Sequence, residues 1–155
     1  MPNSEEYINS LGLKNLIFSR MALTDFDGEE KCFYPENKNY ISGSLRKENV
    51  SWQELSEEYF MVECHKLKTF MEINGHSHID LLKICVEGAE FEVIEGILRD
   101  GLDIDQIAIA FCGRGKKGMH KKEKRLYRSM INAGYECLPY QLSHKITFIQ
   151  KSILH

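Results

Sequence analysis

Residues 79–96 read Ile-Asp-Leu-Leu-Lys-Ile-Cys-Val-Glu-Gly-Ala-Glu-Phe-Glu-Val-Ile-Glu-Gly, and their hydrophobic period changes halfway. The first half is a nearly continuous apolar run of Ile79, Leu81, Leu82, Ile84 and Val86. At that length it suits a strand buried on both faces, as in a parallel sheet. In the second half Ala89, Val93 and Ile97 recur at four-residue spacing, with Ile94 and Leu98 beside them and glutamates between. That pattern predicts a helix starting within two or three residues of the strand's end. Glu87-Gly88 is the hinge, because glycine permits a sharp backbone turn, and Glu87 and Glu90 fall in the predicted first helical turn, whose partial positive charge favours carboxylates.

A strand that runs into a turn and a helix places its carboxyl end where open parallel sheets bind their ligands, and Cys85 and Glu87 sit at that end. Two roles are therefore open to Glu87 and Glu90. They complement the helix dipole, or they face a ligand.

The rest of the composition narrows the class without adding a second domain. A chain of 155 residues, 43% hydrophobic and 28% charged, is ordinary for one globular domain, and its net charge of −3 gives no reason to expect nucleic acid as a partner. No apolar run reaches the roughly eighteen residues of a membrane helix, and the polar start from Met1 to Glu6 is no signal peptide, so a soluble, cytoplasmic chain is expected. The five cysteines are odd in number, widely spaced and without a Cys-x-x-Cys pair, which reads as free thiols and not as a disulfide scaffold or a zinc site.

Taken in order, Ser4 caps a short predicted helix through Leu11, with Tyr7, Ile8 and Leu11 on one face and Gly12 as its stop. Residues 15–23 follow as a strand, and Asp25-Phe26-Asp27-Gly28 supplies turn chemistry before a second extended run over residues 30–34. Residues 35–58 are polar and read as an excursion from the core; Trp52 within them pins the loop or faces a ligand. Residues 59–66 alternate as a half-buried strand, and residues 67–74 form a short helix closed by Gly75. His76-Ser77-His78 puts two imidazoles on one side of an extended chain; no third ligand can be named from sequence, so these are read as polar loop residues and no metal site is expected.

After another buried strand over residues 104–111, the segment Cys112 to Arg125 carries seven lysines and arginines against the single acid Glu123. Its glycines do not have the Gly-x-x-x-x-Gly-Lys-Ser/Thr spacing of a phosphate loop. A basic, glycine-rich loop at a strand's carboxyl end could still hold an anionic substrate through Arg114, Lys116 or Lys117, the alternative being a solvated loop. Nucleic acid is the poorer fit, since no stacking aromatics interleave the charges. Leu126, Tyr127, Met130 and Ile131 give the next helix an apolar face capped at Gly134, and two closing strands over residues 135–142 and 145–153 complete the chain.

The segment Lys-Ile-Cys-Val-Glu-Gly-Ala-Glu, residues 83–90, resembles the signature of the FkbM-type methyltransferases, usually Lys-Ile-Asp-Val-Glu-Gly-Ala-Glu. The likeness extends through Ile79-Asp80-Leu81-Leu82, Phe91-Glu92-Val93-Ile94, the strand around Asp105 to Ile109, and the closing segments Asn132-Ala133-Gly134-Tyr135 and Thr147-Phe148-Ile149. The resemblance implies an S-adenosylmethionine-dependent O-methyltransferase of α/β class. Its fold would be a partial Rossmann-like class I methyltransferase sheet with flanking helices, strand order 3-2-1-4-5-7-6, the last strand antiparallel and the first two absent from this chain. It implies that Met21 and Ala22 end a strand passing near the cofactor's adenine, and that Glu87 and Glu90, with Lys83 and Cys85 beside them, lie nearest the substrate. Two departures stand out: the family's aspartate is Cys85 here, and the acid usual on the next strand is Ala110. No Gly-x-Gly segment after a buried strand precedes residue 79, so the expectation is an N-terminally truncated domain that does not encode the cofactor's glycine-rich grip. Its open sheet edges would then offer a surface to a second copy or another partner. A non-catalytic interaction module with the same partial fold is the competing expectation.

Overall fold

The computed structural model describes residues 4–40, 42–47, 54–112, 118–138 and 145–154. Among them the chain is mixed α/β, with two sheets and four α-helices. The expected positions of Trp52, Arg114, Lys116 and Lys117 lie outside the described residues.

The first sheet holds β1 (Ala22–Thr24), β2 (Gly28–Pro35) and β3 (Leu55–Lys66) in the order β1-β3-β2, with β1 parallel and β2 antiparallel to β3. The Asp25-Phe26-Asp27-Gly28 turn is held from within, the Thr24 hydroxyl donating to the Phe26 carbonyl at 2.7 Å. The strand expected over residues 15–23 forms ladder pairs only at its last two residues and Thr24, although β3 continues back to Leu55. Leu13, Leu16, Ile17 and Phe18 are correspondingly exposed. The N-terminal helix α1 (Ser4–Ser10) also leaves Tyr7 in solvent.

The second sheet is built from β4 (Ile79–Ile84), β5 (Ile104–Ala110), β6 (Tyr135–Cys137) and β7 (Lys145–Gln150), in the order β4-β5-β7-β6. β4 and β5 are parallel, and β7 is antiparallel to both of its neighbours. Register aligns Ile84, Ile109 and Ile146 in one row and Leu82, Ile107, Phe148 and Cys137 in the next. Against these rows pack Val93, Ile94 and Ile97 of α3 (Glu90–Asp100) and Leu126 and Met130 of α4 (Met119–Asn132). Each fully buried Ile, Val or Phe here stabilises the fold by about 1.5–3 kcal/mol through water removal. α2 (Leu67–Ile73) adds Leu67 and Met71 to the same cluster.

The expectation that the 79–86 run is buried on both faces is corrected. Leu81 is 60% exposed and Lys83 is exposed, whereas Leu82 and Ile84 of the opposite face turn into the core with Val93, Ile94 and Ile97, so one face of β4 is covered and the other is open at Leu81 and Lys83. The helix after it also begins later than its period suggests, at Glu90, so Glu87 lies outside the first turn. The closing strands are shorter than the apolar pattern, β7 giving way to a 3-10 turn at Lys151–Ile153.

Candidate active site

Between the end of β4 and the start of α3 the backbone turns through two positive φ angles, +50° at Glu87 and +111° at Gly88. Glycine adopts such an angle freely, but a residue with a Cβ does so at a cost of about 1–2 kcal/mol. Something must therefore hold Glu87. Its main-chain carbonyl accepts a hydrogen bond from the Ser44 hydroxyl, which in turn accepts one from the Arg46 N–H at 3.0 Å. Ser44 is 2% exposed and pairs through its own main chain with Phe33 of β2, so the first sheet fixes the turn that ends β4. The Arg46 guanidinium sits 3.6 Å from carboxylate oxygens of both Glu30 and Glu92, tying that same segment to α3.

The Glu87 carboxylate lies between two thiols. Cys112, just beyond β5, donates to Oε2 at 3.0 Å, and Cys85 Sγ lies 3.9 Å from Oε1. The Cys85 thiol is held above its ordinary range, first by partial desolvation and then by the Glu87 carboxylate, with Lys83 opposing. Glu90 is fully buried: Gly88 N–H donates to its Oε1 at 3.0 Å, while Oε2 has no hydrogen-bond partner among the described residues. Burial raises the Glu90 pKa above the ordinary carboxylate range, offset in part by the N–H groups of Gly88, Glu90 itself and Cys112.

Glu87 borders an open groove of about 530 Å³ whose walls include Met21, Ala22, Leu23, Phe60, Val62 and Val86, with Ser44 at the same side. Met21 and Ala22 also line an adjoining apolar cavity of about 240 Å³ together with Leu67, Phe70 and Leu82. The structure thus brings Met21, Ala22 and Glu87, 66 and 65 positions apart, onto one concavity. Glu90 stays in the core beneath, and Lys83 projects from the exposed part of β4. Ser44 and Cys112 were not singled out by sequence as site residues; the only signal for Cys112 is its place at a strand's carboxyl end, and Ser44 in a polar stretch gives none.

His78 lies at the other end of β4, where its Nδ1 meets Asp103 Oδ2 at 2.9 Å. Its ring, Asp80 and Asp105 offer three ligand atoms within 4.8 Å of one another. The third and further acidic neighbours come from register and the β5 loop, which sequence spacing around His76 and His78 does not reveal. Among the described residues no helix is long and apolar enough to cross a membrane.

No curated protein and no solved structure gives a significant match to the chain. The family model for the methyltransferase FkbM domain matches residues 1–137, which takes in both sheets up to β6, the groove and the hinge. With that match spanning most of its length, the chain belongs to the FkbM methyltransferase family.

Proposed function

We propose that the chain is the C-terminal portion of a single FkbM-type domain, N-terminally truncated, whose complete form uses S-adenosylmethionine to methylate an oxygen. The observation that carries this reading is the meeting of Met21 and Ala22 with Glu87 on one groove. In this reading Met21 and Ala22 face the cofactor's adenine, Glu87 stands nearest the methyl acceptor with Cys85 beside it, Glu90 supports the turn from the core beneath, Lys83 acts from the exposed part of β4, and Arg114, Lys116 and Lys117 attract an anionic or small-molecule substrate. The order β4-β5-β7-β6 with β7 antiparallel is consistent with the second half of a class I, Rossmann-like methyltransferase sheet.

The residues lining the groove fit the cofactor only in part. Met21, Ala22, Leu23 and Val86 suit an apolar ring, and the volume falls within the about 300–1,000 Å³ of ligand sites. Glu87 is the one carboxylate in the lining, and its two oxygens already face thiols. Ser19, Arg20 and Ser44 are the other polar residues of the lining, and among the described residues no second carboxylate stands there for the ribose hydroxyls.

Among the described residues β4 has β5 as its one ladder partner, which supports a second reading, a non-catalytic module that engages a second copy or a partner strand along β4. A calorimetric titration with S-adenosylmethionine separates the two. The truncated-domain reading expects no micromolar binding and no methyl transfer by this chain alone, and an in-frame strand and glycine-rich loop upstream of Met1 in its gene. Micromolar binding with transfer would overturn the truncation, and an upstream sequence without those elements would favour the interaction module.

A further inference from the structure

We propose that His78, Asp80 and Asp105 bind one divalent transition-metal ion of the zinc class, at the end of the four-stranded sheet away from Glu87. The site is assembled by strand register. Ile79 pairs with Ile104 and Leu81 with Gln106, which sets Asp80 beside Asp105 on neighbouring parallel strands. Two like charges so placed repel unless a cation lies between them. His78 enters from the residue before β4, and its Nδ1–H donates to Asp103 Oδ2 at 2.9 Å, which fixes the ring plane and aims Nε2 at Asp80 and Asp105.

The spacing around Nε2 is compatible with a shared metal ion. Nε2 lies 3.5 Å from Asp105 Oδ2 and 3.9 Å from Asp80 Oδ1, both too long for a hydrogen bond of normal length. Tetrahedral ligands held at about 2.1 Å from zinc stand about 3.4 Å from one another. One of these edges already matches, and the other needs a few tenths of an ångström from Asp80, whose side chain is 98% exposed and free to rotate. One imidazole with two carboxylates is a mixed nitrogen and oxygen set, which suits zinc, cobalt or nickel better than magnesium or calcium. His78 and Asp80 border a shallow groove of about 450 Å³ that His76 also lines, which gives solvent access from that side.

The test is calorimetric titration of the whole chain with Zn²⁺, alongside the absorbance of its Co²⁺ complex. One equivalent should bind at micromolar concentration, and Asp105→Asn and Asp80→Asn should each weaken binding at least tenfold. Asp103→Asn, which frees the imidazole, should weaken it by about 10–100-fold. The five free cysteines are the competing ligands, and Co²⁺ reports them separately, since a thiolate site gives an intense near-ultraviolet charge-transfer band. Weak visible bands without that charge transfer are expected. Absence of saturable binding, a thiolate band, or affinity unchanged in Asp80→Asn, an exposed substitution that leaves the packing intact, would each overturn the site and leave His78 as a charged partner of its aspartates.

Discussion

The Ser44 hydroxyl donates to the main-chain carbonyl of Glu87, 43 residues away, and so joins the first sheet to the turn that ends β4. Ser44→Ala removes that donor and leaves the Glu87 carbonyl and the Arg46 N–H without their partner in a buried place. Loss of one side of a buried hydrogen bond costs about 1–3 kcal/mol. The urea midpoint should fall accordingly with an unchanged slope. A midpoint equal to that of the parent chain would mean the two sheets are not coupled through this bond.

Glu87 itself stores strain. Its φ of +50° costs a residue with a Cβ what it does not cost glycine. Glu87→Ala removes the carboxylate and keeps the strain, whereas Glu87→Gly removes both. The glycine variant should therefore be more stable than the alanine variant by about 0.5–1 kcal/mol, the relief of left-handed strain less glycine's extra chain entropy. Equal stabilities would show that residue 87 does not keep its positive φ in the folded chain.

Most of the architecture was legible because it rests on short-range signals. A strand followed by a helix within residues 79–96, the Asp25 to Gly28 turn and the burial of Leu126 and Met130 on α4 appear as expected, whereas Tyr127 of the same predicted face is 44% exposed. What could not be read depends on contacts distant in sequence. Whether the apolar run of β4 is covered on one face or two is decided by what packs above and below the sheet, and how much of residues 15–23 pairs is decided by where that segment meets β3. In the site, Glu87, Met21 and Ala22 were reachable from the family signature. Ser44 and Cys112 were not, since a serine in a polar loop and a cysteine after a strand look the same whether or not a carboxylate waits across the fold.

Glu90 gives stability a defined pH dependence. Its carboxyl is raised above its ordinary value of 4.5 in the folded chain, first by burial, so the folded state holds the proton where the unfolded state has lost it. The sign follows: this group's contribution is fully present below the unfolded pKa and is lost as pH rises toward the folded one. Glu90→Gln cannot titrate, so the stability of the parent relative to this variant should decline from about pH 4.5 upward, by no more than about 1.4 kcal/mol per unit, then level off. Denaturant unfolding of both proteins across pH 4 to 8 reads the difference. A parent that instead gains relative stability through that range would show Glu90 ionised and paired in the fold.

Cys85→Asp restores the family's Lys-Ile-Asp-Val-Glu-Gly-Ala-Glu segment and tests the local field. Cys85 is exposed at the end of β4, so an aspartate fits without displacing the core. The thiol's pKa is raised first by partial burial and then by Glu87 and, less, Glu90, with Lys83 as the one opposing charge among its causes, so a new carboxylate enters a partly desolvated, negative field. At neutral pH and low salt the variant should be less stable than the parent, by no more than about 1 kcal/mol for an exposed charge. The deficit should shrink as added salt shortens the Debye length toward about 3 Å at 1 M. It should also shrink as acid protonates the new aspartate, whose folded pKa the same carboxylates raise. Unfolding curves at two salt concentrations and two pH values separate these terms. A variant more stable than its parent at neutral pH would mean that Lys83 turns to pair with the aspartate and that the field at the strand end is set by that lysine, not by the two glutamates.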